Sequence, residues 1–213
     1  GIMKYANAVE YSYSVVPQIY RMDGESVRQV NPDSSFSALG LGSGSSAFMS
    51  SFMSTDVFHR MPEDKELYEG QYDLKEGSWP QRYNECVLVL GSDGSVSDFL
   101  LYTMGLRDSA ELDEMVREFA AGNEVDVPDN IGAYDYDRYT YDSAYGIWTD
   151  RSSDETYMRE LVENGEDITI VGVVQPSEDA SAAMLSPGIV YPASLTEHVM
   201  EQAADSDIVR QQM

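Results

Sequence analysis

Cysteine, histidine and lysine are scarce in this chain, with one, two and three residues among 213. A lone cysteine, Cys86, excludes an internal disulfide framework and leaves the redox compartment open. Cys86 lies in an apolar strand-like run beside Glu85, the wrong charge for an activated thiolate, so it reads as a buried, inert thiol. Zinc needs several His or Cys ligands at close spacing, and His59, His198 and Cys86 do not provide it. Long apolar runs are missing as well: none approaches the ~18–20 residues of a membrane-spanning helix, and no signal-peptide pattern is present. There is no Gly-x-Ser-x-Gly nucleophile turn and no Gly-x-x-x-x-Gly-Lys-Ser/Thr phosphate loop. Gly42-Ser43-Gly44 sits in a low-complexity stretch instead.

Acid is what the chain has in excess. Thirty-eight Asp and Glu against 13 Lys and Arg give a formal charge of −25. Such a surface repels phosphate backbones and anionic lipid headgroups, which disfavours nucleic-acid binding and flat membrane association. A hydrophobic fraction of 42%, with 15 Tyr, six Phe and two Trp, is enough to build a core and argues against wholesale disorder. The length suits one large domain or two small ones. The chain opens on Gly1 with Met3 inside it, and so reads as an excised piece of a longer protein with any membrane anchors outside it.

Periodicity along the chain mixes strands and helices without a βαβ repeat, which predicts an α+β fold. Val9–Val15 alternates large and small residues as a strand does. Gln18–Met22 and Glu25–Val30 around Asp23-Gly24 predict a hairpin, with Asp-Gly as the two turn residues and Asn31-Pro32 as the stop. Residues 33–55 are Ser- and Gly-rich but carry Phe36, Phe48, Phe52, Met49 and Met53, which predicts a flexible loop with short docking segments, one of them a helix near 47–53. Asp56–His59 and Gln71–Leu74 read as short extended pieces, Glu85–Leu90 as a buried strand, and Asp93-Gly94 as a turn. Ser97-Asp98 would cap a short helix over 99–104. Leu112, Met115, Val116 and Phe119 share one face of a longer helix that ends at Gly122. The Tyr-rich 134–142 segment reads as an edge or hairpin strand followed by Tyr145–Trp148. Ser153 would cap a helix with Tyr157, Met158, Leu161 and Val162 on its apolar face and Asn164-Gly165 as its stop. The strand 168–174 follows, and Thr196 opens a terminal helix.

Two binding chemistries need weighing. Ser92–Asp98 and Asp135/Asp137/Asp142 are the densest acidic clusters, but neither follows an EF-hand loop, and each is accounted for by a turn and cap or by the polar face of a strand. Paired carboxylates for glycoside hydrolysis carry no information in so acidic a chain. Trp79 and Trp148 could stack on sugars or simply serve as core and strand residues. No residue is therefore assigned a catalytic, cofactor-binding or metal-binding role.

One family resemblance spans most of the chain in order. Gln71-Tyr-Asp-Leu-Lys-Glu-Gly-Ser-Trp-Pro80, followed by Asn84-Glu-Cys-Val-Leu-Val-Leu90, resembles a segment of the extracytoplasmic, MacB-like periplasmic core domain of MacB/FtsX-type permeases. Ser95–Leu106 resembles the short helix that comes next in Gram-positive members. Asp167-Ile-Thr-Ile-Val-Gly-Val-Val-Gln-Pro176 is similar to their Ile-Val-Gly-Val strand, and Gly188–Thr196 to the lead into their last helix. Tyr11-Ser-Tyr13 with Gln18-Ile-Tyr20 also has the look of that subfamily. The 33–55 stretch has no firm counterpart, and flanking parts of the full extracytoplasmic region are absent. The resemblance implies a single non-catalytic domain, without cofactor or metal, on the outer face of the cell membrane. It would be anchored by transmembrane helices beyond residues 1–213. Its partners would be the membrane-spanning part of the same permease, a cytoplasmic ATP-binding subunit, an unknown exported substrate and a second permease copy. The competing expectations are a secreted carbohydrate-active hydrolase and a calcium-dependent surface binding module.

Overall fold

A computed structural model describes residues 15–23, 26–32, 57–96, 100, 133–134, 139–180 and 183–212. The fold is α+β, as the mixed periodicity predicts. Its centre is a five-stranded mixed sheet built from β3 (Phe58–Arg60), β4 (Tyr72–Gly77), β5 (Glu85–Val89), β10 (Thr169–Pro176) and β11 (Gly188–Tyr191). Their spatial order is β3-β11-β5-β10-β4. β5 and β10 run parallel with Glu85 opposite Thr169, while β4 runs antiparallel to β10 and β11 antiparallel to β5.

Every residue of β5 is buried, and the reason is visible in its side-chain alternation. Cys86 and Leu88 point into one core with Ile168, Val173, Ile189, Leu195 and Val199. Val87 and Val89 point into the other with Met61, Tyr68, Tyr72 and Val190. A strand covered on both faces has no use for polar alternation, hence the unbroken Cys-Val-Leu-Val run. Two short 3-10 turns, Lys65–Leu67 and Glu69–Gln71, bring Tyr68 under Trp79, with ring centroids 5.1 Å apart.

A second sheet joins β1 (Ile19–Asp23), β2 (Ser26–Asn31), β6 (Ala133–Tyr134) and β9 (Glu166–Asp167) in the order β2-β1-β6-β9. Ile19 and Val30 connect it to the first core. Helix α1 (Glu155–Asn164) lies on this sheet, packing Met158 and Val162 around Tyr20. A separate two-stranded ribbon consists of β7 (Tyr139–Asp142) and β8 (Ile147–Asp150). Helices α2 (Ala193–Ala204) and α3 (Asp207–Gln212) close the chain.

Four boundaries differ from the sequence expectation. Asp23, expected in the hairpin turn, pairs with Ser26 instead; ladder pairing carries it into the strand. The described ends of the 134–142 segment belong to different sheets: Ala133–Tyr134 joins the second sheet and Tyr139–Asp142 the ribbon. Asp154, not Ser153, caps α1, because its carboxylate accepts from the Tyr157 N–H at 3.1 Å and a negative charge suits a helix N-terminus. Helix α2 starts three residues before Thr196, which is buried in its first turn. The expected strand at 9–15 (apart from Val15), the 33–55 stretch, the helix at 108–122 and most of the 99–104 helix lie outside the described residues. So does the 135/137 part of the acidic cluster.

Candidate functional site

Strand pairing places two glycines of the motif segments face to face. Gly77 of β4 lies opposite Gly172 of β10, and the two backbones press together there. A Cβ on Gly172 would meet the Ser78 carbonyl, with the Ser78 carbonyl carbon at 3.0 Å and its nitrogen at 3.1 Å. A Cβ on Gly77 would run into the Val171 carbonyl and come within 2.9 Å of the Gly172 Cα, and the φ of Gly77 is +70°. The Ser78 N–H donates to the Val171 carbonyl at 2.9 Å and seals the contact. Close approach needs residues without Cβ on both strands.

The far ends of β4 and β10 border a groove of about 550 Å³, walled by Asp73, Lys75, Gln175, Ser177, Leu185 and Pro187. Asp73 is the polar anchor of its lip. Its carboxylate accepts from the Ser177 hydroxyl at 2.7 Å and from the Lys75 ammonium at 3.3 Å. The Ser177 hydrogen bond, then the lysine, hold the Asp73 carboxyl below its ordinary range, so it stays ionised. Gln175 donates to the Ser92 carbonyl at 3.0 Å and ties the loop after β5 to the same lip. Beneath the groove the Tyr72 phenol accepts from the Leu185 N–H at 2.7 Å and donates to the Leu185 carbonyl at 3.0 Å. Burial pushes the Tyr72 phenol up, so it keeps its proton. These groups offer a ligand fixed charges of both signs beside an apolar wall of Leu and Pro.

Tyr72→Phe should cost about 1 kcal/mol of unfolding free energy, because the Leu185 N–H and C=O lose their shared partner. Urea denaturation with an unchanged slope would measure it, and a midpoint equal to wild type would mean the phenol is not needed there.

Two further polar clusters surround the start of β5. Glu85 accepts from the backbone N–H of Gln81 at 2.7 Å and of Arg82 at 3.1 Å, and from the Arg82 guanidinium at 2.7 Å. The Gln81 N–H chiefly, with Arg82, holds its carboxyl below the usual range despite burial. Next to it, the Tyr83 phenol donates to Glu166 at 2.9 Å and its ring stacks on His198 at 4.0 Å and 13°. His198 Nε2 stands 3.3 Å from the same Glu166 oxygen. Hydrogen bonding to Glu166 raises the phenol of Tyr83. This cluster fastens the 81–84 turn to β9 and to the middle of α2. Tyr83 and Glu166 carry no local pattern, and only the parallel β5–β10 register, which brings together residues 83 positions apart, reveals them.

The residues that the sequence singles out are dispersed. Cys86 is fully buried in β5, its thiol raised by desolvation and by Glu85, and it donates to the Thr169 carbonyl at 3.3 Å. His59 is half-buried in β3 and His198 in α2. Among the described residues no group of three or more His, Cys, Asp or Glu side chains is placed to hold a metal. Asp93 accepts from both the N–H and the hydroxyl of Ser95, a turn-closing role. Asp142 accepts from the N–H groups of Ala144 and Tyr145 in the same way. Trp79 packs against the second core rather than standing open, and Trp148 lies on β8. Gly42-Ser43-Gly44 lies outside the described residues.

No family model matches the chain, and neither a curated protein nor a solved structure matches it. Function must therefore be read from the residues and their arrangement.

Proposed function

We propose that this chain is the non-catalytic extracytoplasmic domain of an ABC transporter permease of the MacB/FtsX kind. In this role it couples movement of the membrane helices to the handling of a substrate or partner outside the membrane. One observation supports the reading: three of the resembling segments are neighbours in a single sheet. Gln18-Ile-Tyr20 leads into the second sheet, and most of the 11–13 and 95–106 segments lies outside the described residues. Residues 71–90 supply β4 and β5, residues 167–176 supply β10, and residues 188–196 supply β11 and the start of α2. Gly77 and Gly172, one from each of the two most distinctive segments, pair directly. Weak motifs that converge on one packed unit support a common origin better than the same motifs scattered over a surface.

The packing is compatible with a mechanical role in this reading. A sheet whose central strand β5 is buried on both faces deforms reluctantly there, which suits it to transmitting displacement as a body. ATP hydrolysis belongs to a separate cytoplasmic subunit in this reading, and two permease copies or halves would move together.

Topology tests the proposal. Glu178 is exposed and Cys86 is buried, so Glu178→Cys gives one reactive thiol in the full parent protein once any cysteines outside residues 1–213 are replaced by Ser. A membrane-impermeant maleimide should label it in intact cells, in a protein that stays with the membrane after carbonate washing and co-purifies with an ATP-hydrolysing subunit. Labelling only after permeabilisation, or a parent protein without membrane association, would overturn the reading.

A further inference from the structure

β4 is the last strand of the five-stranded sheet, and among the described residues no strand pairs with its outer side. Its backbone orientation follows from its bonds. The Ser177 N–H donates to the Gln71 carbonyl at 2.9 Å, so Gln71 turns toward β10. Antiparallel strands alternate in this respect. Asp73, opposite Gln175, therefore also turns inward, and Leu74, opposite Val174, turns outward. Val174 agrees, since its carbonyl accepts from the Leu90 N–H at 2.9 Å on the other side of β10. The N–H and C=O of Leu74 thus stand on an open sheet edge, a template for a further strand. The Leu74 side chain is 44% exposed, and those of Asp73 and Lys75 are 52% and 41% exposed.

Edge strands carry defences, and β4 has two. One is Lys75. The other is a bulge at the same residue, because Glu76 pairs with Val173 and Leu74 with Val174, leaving Lys75 as the extra residue. The bulge confines outward pairing to a few residues around Leu74. The lysine repels only a strand that offers it no acid. Asp73-Leu74-Lys75 is its own charge complement when reversed. A second β4 laid antiparallel, with Leu74 opposite Leu74, sets each Asp73 across from the Lys75 of the other copy, and opposite charges facing across strands favour pairing. Within one chain the Lys75 ammonium already reaches Asp73 at 3.3 Å, so the two side chains share a face. Two copies would join them into a ring of four alternating charges, with the two Leu74 side chains together on the opposite face. A foreign strand would need the same order of residues; a second copy has it by symmetry. The net charge of −25 opposes self-association, but at physiological ionic strength charges more than about 8 Å apart are largely screened, whereas facing strand charges are not.

We propose that two copies of this chain associate edge to edge through β4, antiparallel about Leu74, and so continue the five-stranded sheet across a twofold axis. The two Leu74 residues exchange a pair of backbone hydrogen bonds, and Asp73 and Lys75 set the register. So short a contact makes a transient dimer. This dimer does not depend on the transporter reading and is tested on the chain itself, so either can fail without the other.

Sedimentation at physiological ionic strength should show a dimer that grows with concentration in a series up to about 1 mM. Leu74→Pro removes an N–H that faces away from β10, so it should abolish the dimer and leave the circular dichroism spectrum unchanged. Asp73→Lys sets lysine against lysine across the axis, and Lys75→Asp sets aspartate against aspartate. Each variant alone should be monomeric at concentrations where wild type dimerises, and an equal mixture of the two should form a heterodimer. Adding Leu74→Pro to either should abolish that heterodimer. Hydrogen exchange needs no variant: protection of the wild-type Leu74 amide should rise with protein concentration. A wild type that stays monomeric throughout, a dimer that survives Leu74→Pro, or single variants that do not pair on mixing would each overturn the proposal. So would Leu74 protection independent of concentration, which would mean that the chain covers this edge itself.

Discussion

Gly172→Ala should cost about 3 kcal/mol or more of folding free energy, at the upper end of what overpacking a core does. The new methyl group would strike the Ser78 backbone, and backbone cannot swing aside as a flexible side chain can. Gly77→Ala should cost more still. It meets the Val171 carbonyl and also forces a non-glycine residue to a φ of +70°, worth about a further 1 kcal/mol. Either loss is a large part of the roughly 5–15 kcal/mol that holds a domain together. The double variant should fall short of the sum, because parting β4 from β10 once relieves both clashes. Urea midpoints of the three variants measure this directly. Near-wild-type midpoints for the single variants would show that the two strands do not press together as described.

Glu85→Ala should lose about 2–3 kcal/mol at neutral pH, since the Gln81 and Arg82 N–H groups and the Arg82 guanidinium lose a charged acceptor. The pH dependence has a definite sign. Held below its ordinary 4.5, the carboxyl binds protons less readily in the folded chain than in the unfolded one. Its contribution is therefore whole above pH 4.5 and is lost as the pH falls through its lower folded value. Asp73, Asp93 and Asp154, all held low by hydrogen bonds or a nearby cation, act in the same direction. Glu85→Gln should remove Glu85's share of the acid-induced loss while keeping the side chain's size. Unfolding curves above and below pH 4.5 compare it with wild type, and identical acid sensitivity in the two proteins would sink the assignment.

What could be read in advance follows from how local the information is. The unbroken apolar run of β5 announced a strand covered on both faces, and the i, i+4 spacing of Met158 and Val162 within α1 announced its buried side. Turn chemistry was legible at Asp93-Gly94, where Gly94 takes a φ of +78°. Boundaries slipped where a tertiary contact outweighed a local signal. Asp23 prefers a turn by type but pairs with Ser26, and Thr196 looks like a helix cap but is buried inside the first turn of α2.

Of the candidate site, almost nothing was local. Asp73 and Ser177 are 104 residues apart, Tyr72 and Leu185 113, Tyr83 and Glu166 83. Tyr72 and Asp73 lie in the 71–80 segment, but no local pattern singles out Ser177, Leu185, Tyr83 or Glu166 as members of these pairs. By itself the sequence determined the mixed α+β class, the acid excess and the positions of the core strands β5 and β10, but not that of β11. Tertiary structure alone decided that β5 and β10 lie side by side, that Gly77 faces Gly172, and that the Tyr-rich ribbon stands uncovered among the described residues. Apolar periodicity specifies which face of a strand is buried but not which distant strand lies beside it. That choice depends on register and shape complementarity, which exist only once the chain has closed on itself.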